Sequence, residues 1–140
     1  MKSVRDLARA SMTAVEAGDR AGWLALFADD AIVEDPIGPS VFDPDGKGHR
    51  GSAAIEAFYD NVIAANESIR FEIRQSFLCG DEIANVGVIR ITVAPGLIVE
   101  VDGVYTYRRS SDGRIAALRA YWEPDSIRTV EQSAPVSEPA

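Results

Sequence analysis

At 140 residues the chain is the length of one domain, and a chain of this length buries a core without disulfide or metal staples. With 14 Lys and Arg against 22 Asp and Glu, its net charge of −8 repels phosphate backbones and anionic headgroups, which sets aside nucleic acid and membranes as partners. The single cysteine, Cys79, and the single histidine, His49, exclude an internal disulfide, a Cys-cluster zinc site and a multi-histidine metal centre, so any chemistry falls to carboxylates and tyrosines.

The first six residues carry an acid and lead into a polar pattern rather than an apolar leader, and a cytoplasmic protein is expected. Ser3 is placed to cap a helix running to about Ala17, with Val4, Leu7, Ala8, Ser11, Ala14 and Val15 on one stripe. Gly18 suits its stop, and Asp19 can cap a shorter helix that carries Trp23, Leu24, Leu26 and Phe27 and ends before Asp29. Residues 31–35 read as a short strand. The next segment, 36–51, holds three prolines and four glycines and reads as a loop. Ser52 is placed to cap a third helix to about Asn66, with Ile55, Phe58, Tyr59, Val62 and Ile63 on its inner stripe.

The second half changes to a period of two. Phe71, Ile73 and Phe77 alternate with polar residues, and 82–92 forms a longer strand. Along 97–109, Val101, Gly103, Tyr105 and Tyr107 share one face while Glu100, Asp102 and Thr106 share the other. Asp112-Gly113 is a hairpin signal, and 115–122 returns as the last strand. A domain over 1–127 with a disordered tail over 128–140 is expected. Helices followed by an antiparallel meander give an α+β fold, with the helices on one side of a curved sheet.

Such an arrangement leaves a cavity where the helices do not fill the cone. Trp23, Phe27, Phe58, Tyr59, Tyr105 and Trp122 are candidates for its lining, and each reads equally well as plain core. Asp35 stands at the end of an apolar strand, on the face of Val33. Position alone leaves two readings open for it, a solvated loop acid or a functional one.

A resemblance bears on that choice. The segments Ala17-Gly18-Asp19 and Ala25 to Gly38, which contains Glu34-Asp35-Pro36-Ile37-Gly38, are similar to the ketosteroid isomerase branch of the nuclear-transport-factor-2-like (SnoaL-like) superfamily. Ala54 to Asn61 resembles its third helix, and Asp112-Gly113-Arg114-Ile115 with Leu118 to Trp122 resembles its final hairpin. The resemblance implies a cone-shaped α+β fold of three N-terminal helices on a strongly curved, mostly antiparallel sheet. It also implies a homodimer and an apolar pocket for a steroid or similar polycyclic ligand. Asp35 would be the general base that moves a proton along a 3-keto-Δ5-steroid, with no cofactor and no metal. Tyr59 matches the third-helix tyrosine, and Trp122 the pocket tryptophan.

The sequence departs from the family at the group that stabilises the enolate oxygen. That group is ordinarily a tyrosine and a protonated aspartate, and Ser11 and Gly103 stand in their places. Loss of one such donor costs on the order of 100- to 1000-fold in rate. Asp102 should point to the opposite sheet face unless a bulge turns it inward. Ser11, Trp23, Phe27, Phe58, Val101, Gly103, Tyr105 and Trp122 are therefore the expected ligand-binding residues, and Asp35 and Tyr59 the expected catalytic ones. Steroid isomerisation, steroid capture without turnover, and an epoxide hydrolase or polyketide cyclase chemistry on the same fold all stay open. His49 reads as a solvated loop residue, Arg119 as an outer-face group and Cys79 as a turn residue.

Overall fold

The computed structural model describes residues 2–131. Helix α1, Val4–Ala17, begins where the Ser3 hydroxyl accepts the Asp6 N–H at 3.1 Å. It ends at Gly18, whose φ of 68° lets its N–H turn back to the Ala14 and Val15 carbonyls. The expected stripe, Ser11 included, is its buried face. Helix α2, Arg20–Leu24, is capped by the Asp19 carboxylate, which accepts the Gly22 N–H at 2.9 Å.

The second helix is shorter than its apolar run suggested. Leu26 and Phe27 leave it because Phe27 opens strand β1, Phe27–Glu34, and the Leu26 carbonyl accepts the Ile115 N–H at 2.8 Å. The pairing of β1 skips between Phe27 and Ile32, and that irregular stretch carries Asp29 and Asp30 on the exposed side. Asp35 follows the last residue of β1. Within the expected loop, His49–Arg50 forms a short strand β2 against Val33 and Ile32 of β1. The third helix is α-helical only over Ser52–Phe58 (α3) and continues as a π-helical turn, Tyr59–Ile63, where the Ala64 N–H donates to the Tyr59 carbonyl at 2.8 Å. Gly51, rather than Ser52, holds the N-cap position.

Strands β3 (Ser68–Cys79), β4 (Glu82–Ala94), β5 (Leu97–Arg109) and β6 (Ile115–Tyr121) form the meander. The sheet is curved and unclosed, seven strands in all, in the order β2-β1-β6-β5-β4-β3, with β1 parallel to β6 and the other pairs antiparallel. The seventh strand corrects the expected boundary at 127. Arg128–Glu131 forms β7, which pairs with Leu97 to Glu100 of β5 beyond the point where β6 leaves it. A single 3-10 turn at Pro124–Ser126 bridges the two partners of β5. The remainder of the expected tail, 132–140, lies outside the described residues. No helix among the described residues is long and apolar enough to cross a membrane.

The core lies between the helices and the inner sheet face. Val4, Leu7, Trp23, Ile55, Phe58 and Ile115 are each at most 2% exposed, so the helical layer is anchored at its middle. Burying side chains of this size contributes roughly 1.5–3 kcal/mol apiece. That anchoring fixes the first helix and the inner face of β5 relative to one another, and this juxtaposition positions the site.

Candidate functional site

Between the helices and the inner face of the sheet lies an apolar cavity of about 90 Å3. Its inner end is made by Ser11, Trp23, Phe58, Tyr105, Tyr107 and Leu118, all buried. Its outer end is made by Val62, Ile63 and Asn66 from the π turn and the segment after it, facing Phe71, Ile89 and Ile91 of the sheet, all half-buried. Among the described residues, the one carboxylate in the lining is Asp35, and no arginine or lysine joins it.

Asp35 owes its place to the end of β1, where the chain leaves the sheet still facing inward. The Trp122 indole N–H donates to its carboxylate at 2.5 Å. Burial pushes the Asp35 carboxyl above the ordinary carboxylate range; the Trp122 hydrogen bond and the nearby His49 work against that rise without cancelling it. His49 itself is not a free loop residue. It sits in β2 opposite Val33, with its ring 4.9 Å from that of Phe58.

At the inner end three side chains share one oxygen. The Trp23 indole N–H donates to the Ser11 hydroxyl at 3.0 Å, and the Tyr107 hydroxyl bonds the same oxygen at 3.1 Å. Ser11 is 1% exposed and Tyr107 is 3% exposed, so neither bond competes with bulk water. Burial pushes both the Tyr107 and Tyr105 hydroxyls up, and both stay protonated across the ordinary pH range. The Tyr105 proton is used: it goes to the Val101 carbonyl at 2.7 Å.

Of the residues singled out from sequence, Ser11, Trp23, Asp35, Phe58 and Tyr105 line this cavity. Five others do not line it, each for a physical reason. Phe27 lies against the Trp23 ring at 4.5 Å, within the core. Tyr59 packs on Trp23 at 5.4 Å, and its hydroxyl feels Asp19, Arg20 and Asp60 rather than Asp35. Val101 is 4% exposed and offers its carbonyl to Tyr105. Gly103 has no side chain to offer, and a Cβ there would stand 2.6 Å from the Tyr121 carbonyl oxygen and 3.2 Å from the Tyr105 hydroxyl. Trp122 reaches Asp35 through its nitrogen, while its body borders a second, open hollow with Pro36, Ile37 and Gly103.

Asp102 does not turn inward. Strand β5 pairs with β4 without a bulge across 98–108, and Asp102 is ion-paired with Arg128 on the outer face. Arg119 is an outer-face group too, bonded to Glu34 at 2.7 Å. Tyr107 and Asn66 are the polar lining residues that sequence reasoning passed over, and Tyr107 is the buried one. Its inward orientation was legible from the alternation, but its bond to Ser11 spans 96 residues and leaves no local mark.

The SnoaL-like domain family matches residues 8–118 of the chain. The chain belongs to that family. Within it, the steroid Delta-isomerase of Nocardioides simplex is 32% identical over 121 residues, covering 83% of this chain and 86% of the isomerase. Among solved structures, the Delta 5-3-ketosteroid isomerase of a Mycobacterium species is 43% identical with a TM-score of 0.85, covering 91% of this chain and 98% of that one. RV0760c from Mycobacterium tuberculosis, in complex with estradiol-17beta-hemisuccinate, is 43% identical with a TM-score of 0.81, covering 87% and 95%. These relatives bear out both the cone-shaped α+β fold and the ketosteroid isomerase resemblance of the SnoaL-like chain.

Proposed function

We propose that this SnoaL-like protein binds a steroid or similarly flat polycyclic molecule in the cavity and that Asp35 transfers a proton on it as a ketosteroid isomerase does. The observation that carries the reading is Asp35 itself: a lone carboxylate on an apolar cavity wall, held by one neutral indole N–H and desolvated enough to have its pKa raised. A base of raised pKa takes a weakly acidic carbon proton more readily than an ordinary carboxylate does. The proton leaves the carbon between the ketone and the double bond, the electron pair moves to the ketone oxygen as an enolate, and the proton returns two carbons along. The relatives named for steroid isomerisation and for a bound estradiol derivative support the substrate class.

At about 90 Å3 the space falls short of the roughly 300 Å3 at which ligand pockets begin. A polycyclic guest therefore enters by displacing the half-buried outer residues, Val62, Ile63 and Asn66 foremost, while the inner end holds still. The test follows conjugated enone absorbance from a 3-keto-Δ5-steroid for wild type and Asp35→Asn. Turnover in the wild type and its loss in the variant support the reading. Equal rates, or none in either, overturn the catalytic part.

A second reading, capture without turnover, is favoured by one observation. The space in which the family's aspartate would stand is closed by the Tyr121 carbonyl and the Tyr105 hydroxyl around Gly103. Steroid binding by calorimetry in the absence of any enone signal would select it. Epoxide opening gains no support, because the lining holds one carboxylate and no arginine. A cytoplasmic homodimer belongs to the same proposal, supported by the free thiol of Cys79 and by exposed apolar groups on the sheet such as Phe77, Leu97 and Tyr121. Light scattering on the purified protein checks the dimer.

A further inference from the structure

The hydrogen bonds at the inner end of the cavity do not balance within the protein. An indole N–H only donates, so the Ser11 oxygen must accept from Trp23. Ser11 and Tyr107 then contribute one hydroxyl proton each but share one bond between them. One of those two protons is left without a partner among the hydrogen bonds of this buried triad, at a wall that also carries Asp35. Tyr105 offers nothing similar, since its proton is committed to the Val101 carbonyl.

We propose that Tyr107 is the donor that reads the ligand's oxygen, with Ser11 as the residue that positions it. In the structure Tyr107 donates to Ser11; both hydroxyls rotate, and with a ligand oxygen in the cavity the Ser11 hydroxyl, which accepts from Trp23, donates instead to the Tyr107 oxygen and turns the Tyr107 proton to the ligand. A phenol is a stronger donor than an aliphatic alcohol, and a chain of donors polarises each member. Trp23 to Ser11 to Tyr107 to ligand is therefore the arrangement that strengthens as negative charge grows on the ligand oxygen. Tyr107 arises from β5, four residues beyond Gly103, and thus supplies from the strand a side-chain donor that Gly103 lacks. The buried hydroxyl stays protonated, as a donor must.

The proposal rests on the steroid-pocket reading, and its experiment separates the two. Binding of estradiol and of the same steroid lacking the phenolic hydroxyl is measured by calorimetry for wild type, Tyr107→Phe, Ser11→Ala and Ser11→Thr. Wild type should favour estradiol by about tenfold or more, in line with a hydrogen bond to a polarised group. Tyr107→Phe should lose that preference, its loss on estradiol exceeding its loss on the hydroxyl-free steroid by the same factor of about tenfold or more. Ser11→Ala should lose part of it, because Tyr107 remains but is no longer oriented, and Ser11→Thr should restore it. Preference retained in Tyr107→Phe, or equal losses on both steroids, overturns the role of Tyr107 and leaves the pocket standing. A wild type that binds both steroids equally also overturns it. A wild type that binds neither overturns the pocket and the donor together. Should Tyr107→Phe fail to fold, the wild-type preference and its response to Ser11→Ala and Ser11→Thr decide.

Discussion

Glu34 and Asp35 are consecutive carboxylates placed on opposite sides of the sheet, and they meet opposite chemistry. Glu34 faces out and is bonded by the Arg119 guanidinium at 2.7 Å. Asp35 faces in and, among the described residues, is bonded by the Trp122 N–H alone, at 2.5 Å. Arg119 takes up the lone pairs of Glu34 on the outer face, whereas Asp35, with a neutral donor in a desolvated hollow, has its pKa raised. The same division runs along β5. Outside, Glu100 is bonded to Arg90 and Arg128, and Asp102 to Arg128; inside, Val101, Tyr105 and Tyr107 are buried and carry no charge. What distinguishes the acid proposed as the base is the side of the sheet it faces, and residue type carries no part of the distinction.

The sharpest way to break this comparison is to neutralise each acid in turn. Asp35→Asn should lower steroid isomerisation by about 100- to 10,000-fold, the range supplied by a positioned base, while Glu34→Gln should change it less than about threefold. Enone absorbance reads both, and a comparable loss in Glu34→Gln would erase the distinction. The inner face can also be tested for crowding. Gly103→Ala places a Cβ 2.6 Å from the Tyr121 carbonyl oxygen and should cost about 1–3 kcal/mol in urea unfolding. An alanine tolerated without cost would mean the inner face has slack. Glu34→Gln itself should cost at most about 1 kcal/mol, because Arg119 is partly exposed and water takes over much of what the pair provides.

The pH dependence gives the smallest and most specific effects. The folded protein holds the Asp35 proton more tightly than the unfolded chain does, so this group contributes stability that is fully present below the ordinary carboxylate range. That contribution is lost as pH rises through the raised folded value. Asp35→Asn should therefore raise the melting temperature near neutral pH, with the gain shrinking as the pH is lowered into the ordinary carboxylate range. A constant gain at every pH would contradict a raised Asp35. Trp122→Phe removes a bond that favours the ionised form, so the acid limb of the activity profile should move to higher pH.

Much of this was legible in the chain because local signals agreed with one another. Ser3, the buried stripe of α1 and Gly18 all specify the same helix, and the alternation along 97–109 specifies which residues of β5 face inward. Asp35 was legible through the Glu-Asp-Pro-Ile-Gly block. Where the reading stopped, tertiary contacts had overridden local pattern. Leu26 and Phe27 fit a helix as well as a strand, and only pairing with Ile115 decides. Arg128–Glu131 looks like solvated tail; its strand exists because β5 offers an open edge and Arg128 finds Glu100 there. The clasp between Ser11 and Tyr107 joins the first helix to the fifth strand, which no window along the sequence contains.

The π turn at Tyr59–Ile63 amounts to a helix that has taken in one residue more than its period holds. Excising a single residue there would return the segment to regular winding and change which of its residues face the cavity. Val62, Ile63 and Asn66 would then present different atoms to an incoming guest while Asp35, Ser11 and Tyr107, anchored on other elements, kept their places. The outer half of this hollow is thereby open to retuning through length changes alone, independently of the acid and the hydroxyls proposed to do the chemistry.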